Sequence, residues 1–268
     1  MSTRTGATIL ARLGFAARGI VYFIVGWFAV DAAFRGGQVG DNQGAIASLA
    51  DEPYGEALLA VMAAGLAGYA IWRLAETLTD PQAQGRTAKG AFRRAGHAIS
   101  GIAHIVLAWT AARIALHTKR AGGRVGGEDS AQDWTAWLLS QPMGRMLVAL
   151  VACGLLAAAV QQGVKAWNGK FARDLSPGTP VPSHVCTIGR IGYGARALVF
   201  TLIALFFFTA AWMSDADEAG GMASALGTLQ SQAGGQFLLG LTGMGLIAFG
   251  AYSFVEARYR RISVDLPA

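Results

Sequence analysis

Residues Ala11–Val30 read ARLGFAARGIVYFIVGWFAV. The stretch is apolar enough to cross a bilayer, yet it opens on Arg12 and carries Arg18 further in. It occurs twice more with variation, as RRAGHAISGIAHIVLAWTAA at Arg93–Ala112 and GRIGYGARALVFTLIALFFF at Gly189–Phe208. Set side by side, Arg12, Arg94 and Arg190 coincide, and so do Gly14, Gly96 and Gly192. A repeat is sought before anything else, because missing one misassigns the whole fold.

Six apolar segments follow, at about 9–34, 55–78, 94–117, 144–167, 190–213 and 235–257. Each meets the ~20 residues that a helix needs to cross the hydrocarbon core. The even segments match each other as the odd ones do. They open on Gly55, Gly144 and Gly235, and ten residues later come Gly65, Gly154 and Gly245. Between the two segments of each pair lie GAIASLADEPYG, DWTAWLLSQPMG and GMASALGTLQSQAGG, in which Leu49, Leu138 and Leu229 align. These are expected to form short amphipathic helices in the membrane interface. The expectation is an all-α membrane protein of three tandem helical hairpins, at 1–80, 81–170 and 171–268, related by a pseudo-threefold axis along the membrane normal. Shared glycines predict shared packing within each hairpin, because close helix approach needs small residues.

The bulk numbers agree with a membrane protein. Of 268 residues, 53% are hydrophobic and 14% charged, against about 25% charged in soluble domains. The net charge of +6 is not gathered into a separate basic module, so nucleic acid is not an expected partner. Cys153 and Cys186 make no disulfide framework. The opening MSTRTGATILARLG has no short apolar core with a small-residue cleavage site, which predicts that no signal peptide is removed.

ARLGFAARGIVYFIVG at Ala11–Gly26 and GRIGYGARALVF at Gly189–Phe200 resemble an uncharacterised bacterial membrane family. It is the domain of unknown function numbered twelve hundred and six, whose members carry a two-helix transmembrane unit three times. The resemblance covers nearly the whole chain. The second repeat departs from the pattern, with Ser100 where the others have Arg18 and Arg196. The resemblance implies the architecture and a bacterial inner-membrane location, and it implies no activity, catalytic residue or cofactor.

Orientation follows from the basic residues. Placing loops alternately on two sides leaves six on one side: Arg35, Arg113, Lys119, Arg120, Arg124 and Arg145. The other 16 of the 22 fall on the side that holds both termini, which predicts cytoplasmic termini. Trp27, Trp109 and Trp212 near one set of helix ends, with Trp72 and Trp167 near the other, resemble interfacial aromatic belts. NGKFARDLSPGTPVPSHVCTIG, with Pro177, Pro180 and Pro182, reads as an extended linker.

Ionisable residues inside a span are costly and mark functional sites by default. Repeat one has Arg18 with Glu76, repeat three Arg196 with Glu256, and repeat two Ser100 with Lys165. One reading is that Arg18 and Arg196 snorkel to the near interface. The other is that each pairs with the acid of its own hairpin. Repeat two also breaks the pattern with His97 and His104, which share one stripe with Ser100 at i, i+3 and i+7. With Gln161 and Lys165 they form a candidate polar site between the third and fourth spans. The histidines either tie helices together or line a path for a proton or substrate. Spaced about 10 Å along the helix, they lie too far apart to share one zinc. No HExxH, GxSxG, P-loop or GxGxxG motif is present, so no enzyme activity, metal or cofactor is expected. Two functions stay open. One is a small-solute or ion transporter or channel, and the other a non-catalytic subunit or assembly factor for another membrane protein.

Overall fold

A computed structural model describes residues 3–36, 39–51, 54–79, 88–117, 127–175 and 181–260. Six helices in it are long and apolar enough to cross a membrane. They are α1 (Thr3–Arg35), α3 (Gly55–Thr79), α4 (Ala88–His117), α6 (Gly144–Asn168), α7 (Ser183–Met213) and α9 (Gly235–Tyr259). Short helices α2 (Asn42–Ser48), α5 (Gly127–Leu139) and α8 (Met222–Ser231) stand between the members of each pair, where amphipathic segments were expected. Among the described residues the sole β feature is an isolated bridge between Leu175 and Arg260.

The three short helices enter the next span through the same local turn. Tyr54, Met143 and Gly234 precede α3, α6 and α9 with φ of 65°, 61° and 73°. The aligned glycine follows each. A Cβ at Gly55, Gly144 or Gly235 would lie 2.1, 2.5 or 2.1 Å from a carbonyl oxygen of the preceding turn. Those three glycines therefore serve the turn. α2 and α8 bury Ala45, Ile46, Met222, Ala225, Leu226 and Leu229 in the main core and close the end of the bundle remote from the termini. α5 instead leaves Trp134 and Trp137 exposed on one face, as an interfacial helix would.

The spans pack in the order α4, α3, α1, α9, α7, α6, with α1 against α9 the most extensive seam. The first and third pairs close as hairpins, α1 on α3 and α7 on α9. The second does not. Among the described residues α4 and α6 share no extended seam, and each packs instead on a helix of the neighbouring pair. The glycines show why. A methyl on Gly14 would meet Tyr69 Cβ at 2.3 Å, and one on Gly192 would meet Phe249 Cα at 2.6 Å. One on Gly96 or on Gly154 would meet nothing within 4 Å. Tyr69 and Phe249 stand fourteen residues after the opening glycine of their helices, where α6 has Ala158. Without an aromatic ring to bury there, α4 and α6 lack the packing that draws the other pairs together. The expectation that all three glycine pairs pack alike is corrected on this point.

Two further expectations change. α7 begins at Ser183, capped by Pro182, and Lys170–Asp174 form a short 3-10 turn, so the linker is shorter than its composition suggested. Pro177 and Pro180 lie outside the described residues. Trp27, Trp109, Trp167 and Trp212 are exposed as interfacial residues should be, but Trp72 is buried against Phe15 and Tyr69.

Candidate functional site

The site grows out of the α1–α9 seam. Gly19 and Gly26 on α1 face Gly250 and Gly243 on α9, and a methyl on Gly26 would come within 2.6 Å of the Gly243 carbonyl oxygen. Such close approach of two backbones draws the side chains beside the seam into the interior. Arg18, one residue before Gly19, is buried there. It forms an ion pair with Glu256. Its Nε donates to Ser253 Oγ at 3.2 Å and its Nη1 to the Tyr69 hydroxyl at 3.1 Å. The guanidinium also lies over Phe15, Phe249 and Tyr69, 4.9, 5.0 and 5.4 Å from the ring centroids. Aromatic faces attract a cation by about 0.5–2 kcal/mol each, which helps to hold a charge far from water.

Glu256 is the hub on the other side. One carboxylate oxygen takes Arg18 and the other takes Arg260, so both are engaged. Arg260, just past the end of α9, also reaches Asp174 at 3.5 Å and lies over Phe15 and Trp72. Burial works against its charge, but Glu256 and Asp174 beside it raise its pKa above the usual arginine value.

This geometry changes the expected pairing. Arg18 was expected to meet Glu76 of its own hairpin, and Arg196 to meet Glu256. Glu256 instead pairs with Arg18, 238 residues away in the chain. The side chain of Glu76 lies outside the described residues. Nor do Arg18 and Arg196 snorkel outward. Arg196 turns inward over Phe249 at 4.3 Å and over Tyr22 and Phe200 at 5.0 Å. With its amide oxygen turned to the guanidinium, Gln162 on α6 accepts from Arg196 Nη1 and Nη2 at 3.1 and 3.2 Å. The buried Nε of Arg196 has no hydrogen-bond partner.

The five residues of the candidate polar site divide between two seams. On α4, His104 lies against Tyr69 with ring centroids 4.4 Å apart and the rings tilted by 43°, and its Nδ1 donates to the Ser100 carbonyl at 2.7 Å. His97 and Ser100 are half-buried on the same helix. On α6, Lys165 Nζ lies 5.4 Å from the Tyr193 ring centroid and Gln161 is half-buried. The site therefore does not lie on a seam between the third and fourth spans, because those helices do not pack together. One charge cluster is nonetheless shared: Arg73 and Arg196 act electrostatically on both His104 and Lys165.

Sequence reasoning missed Tyr69, whose hydroxyl accepts from Arg18 and from Arg73 Nε at 3.1 and 2.9 Å. It also missed Ser253 and Arg260 and preferred Gln161 to Gln162. One signal was available. Gln162 aligns with Ser253 and Arg73, a polar position in all three repeats, and Ser253 and Gln162 each accept from an arginine of the next helix.

The family described as Domain of Unknown Function (DUF1206) matches residues 13–80, 95–169 and 191–260. The chain belongs to this family. It is also similar to the uncharacterized protein YxxB of Bacillus subtilis (strain 168), 31% identical over 255 residues, which cover 94% of this chain and 90% of that protein. No solved structure matches.

The arrangement can hold charge in a largely apolar interior. It carries arginines over aromatic faces, one carboxylate shared by two arginines, and a lysine and a histidine at the margin. Among the described residues no group of three His, Cys, Asp or Glu side chains is placed to hold a metal ion. The chemistry on display is electrostatic and hydrogen-bonding recognition.

Proposed function

We propose that the protein is a carrier for a small charged or polar solute, with its termini in the cytoplasm of a bacterial cell and its three repeats arranged around the charge cluster. One observation carries the reading. The charged and aromatic groups sit in the half of the bundle that bears the termini, whereas α2, α8 and apolar residues such as Val25, Leu59, Met62 and Ile203 fill the other half. Ion pairs and hydrogen-bonding networks buried at membrane depth are expensive, and solute pathways are where such groups gather. A permanently open channel would need polar lining along its whole length, so the closed far end favours a carrier.

Impermeant thiol reagents test this on a cysteine-free background carrying His104→Cys or Gln161→Cys. Labelling from the termini side alone supports a carrier open to that side. Labelling from both sides at once supports a channel, and protection from both overturns transport.

One observation favours a second reading, a subunit that binds another membrane protein. Gly96 and Gly154 present bare backbone with nothing within 4 Å, and small-residue faces of this kind accept a partner helix. Crosslinking from Gly96→Cys or Gly154→Cys in membranes tests it. A discrete heteromeric adduct at both positions supports it, and adducts at neither overturn it.

A further inference from the structure

Three seams join the second span of one repeat to the first span of another: α3 with α4, α6 with α7, and α9 with α1. One position on each second span corresponds in sequence (Glu76, Lys165, Glu256), and one on each first span (Ser100, Arg196, Arg18). On the α9–α1 seam these are an acid and an arginine, and they make a buried ion pair. On α3–α4 the arginine is replaced by serine. On α6–α7 the arginine is kept and the acid is replaced by a lysine, so two cations stand where the α9–α1 seam has an ion pair.

The rest of the arrangement is retained. Ser253 accepts from Arg18 on one seam, and Gln162, in the corresponding position, accepts from Arg196 on the other. Aromatic rings lie under both guanidinium groups, Phe249 under each of them. What the α6–α7 seam lacks is a carboxylate of its own. Glu256 acts electrostatically on Lys165, but both of its oxygens already take Arg18 and Arg260, so this one carboxylate stands against four cations. Lys165 is half-buried, with the Tyr193 ring 5.4 Å away. Arg196 is half-buried too, and its buried Nε has no hydrogen-bond partner. Partly desolvated cations of this kind are stabilised by a counter-charge within reach.

We infer that Lys165 and Arg196 hold an oxyanion of the phosphate class on the α6–α7 seam, as a bound substitute for the carboxylate that Glu256 provides on the α9–α1 seam. A phosphate-class group suits the two donors. Its several oxygens take the planar fork of an arginine and the point charge of a lysine together. Among the described residues α4 and α6 share no extended seam, so no span of the second pair covers Lys165 from the α4 side. Lys165 stands three residues from the end of α6 at Asn168, close to the depth of a lipid headgroup. Free phosphate and the phosphate of an anionic lipid share this chemistry. The site does not depend on transport, since a subunit with a structural lipid would need it equally.

The test is thermal unfolding of the full chain in dodecyl maltoside. The probes are sodium phosphate against sodium chloride at equal ionic strength, and phosphatidylglycerol against a diacylglycerol with a neutral galactose headgroup. The wild type is expected to gain a saturable rise in unfolding midpoint from phosphate, from phosphatidylglycerol, or from both. Phosphate alone identifies a free oxyanion, and phosphatidylglycerol alone a lipid headgroup. Lys165→Gln and Arg196→Gln should each raise the half-saturating concentration about tenfold or more. Lys165→Glu installs the missing carboxylate. It should raise the midpoint without ligand and abolish the response. If it does not fold, Lys165→Gln carries the comparison. The inference is overturned if neither phosphate-bearing probe stabilises the wild type beyond its control, or if both Gln variants respond as the wild type does.

Discussion

Arg18 on the first span and Glu256 on the last form a buried ion pair that joins the two ends of the chain. The pair crosses between repeats. Its carboxylate is shared with Arg260 and its guanidinium with Ser253 and Tyr69. Removing one partner strands the other charge in the interior, which costs about 3–5 kcal/mol in buried pairs. Arg18→Gln and Glu256→Gln should each destabilise by that order, and the double variant by clearly less than the sum. Arg18→Gln with Glu76→Gln should add to within about 0.5 kcal/mol. A double-mutant cycle from unfolding in detergent measures both. Strong coupling to Glu76 would restore the pairing within a hairpin.

The aligned glycines should respond oppositely to one substitution. Gly14→Ala and Gly192→Ala push a methyl into Tyr69 and Phe249, and overpacking of this kind costs about 1–3 kcal/mol. Gly96 faces open space, so Gly96→Ala should stabilise by up to about 1 kcal/mol through helix propensity alone. Three unfolding midpoints decide the matter. A destabilising Gly96→Ala would mean that the second repeat packs as the others do.

The turn before each second span offers a reciprocal pair. Met143 and Gly234 both take positive φ, at 61° and 73°, a region that costs an L-residue roughly 1–2 kcal/mol. Met143→Gly should stabilise by about 1 kcal/mol, and Gly234→Ala should destabilise by a similar amount. Equal midpoints for the two variants would show that the turns are not held in that conformation.

Much of this was readable in the residues, and the part that was not has a specific cause. Span number and the short helices follow from local pattern: runs of apolar residues, an aligned Gly55, Gly144 and Gly235, and an amphipathic stripe ending in Trp134 and Trp137. Partner choice does not follow from local pattern. Matching Arg18 with Glu76 and Arg196 with Glu256 used which residues vary together within a repeat, whereas the packed seams set Glu76 by Ser100, Lys165 by Arg196 and Glu256 by Arg18, so the covariation gave Glu256 the wrong arginine. Only helix order separates the two, and that order is set by the glycine seam of α1 on α9. His104 illustrates the same limit. Its spacing from His97 and Ser100 places all three on one face of α4, but nothing in that spacing says that the face meets Tyr69 on α3 rather than Lys165 on α6.

Orientation in the membrane remains a prediction from charge. Six candidate spans among the described residues predict that both ends of the chain share one side, and placing loops alternately puts 16 of the 22 basic residues there. Basic residues are retained in cytoplasmic loops, so that side should be the cytoplasm. Cys153 and Cys186 are free and must first be replaced by Ala and Ser. On that background Tyr54→Cys, before α3, and Asp217→Cys, before α8, should react with an impermeant maleimide on intact cells. Ser183→Cys, at the start of α7, should react only after the membrane is opened. Asp217 is the sharper probe. It is exposed on a short 3-10 turn, so failure to label it from outside could not be blamed on packing. The reverse pattern, Ser183→Cys labelled and Asp217→Cys silent on intact cells, would invert the topology and place the charge cluster at the outer face.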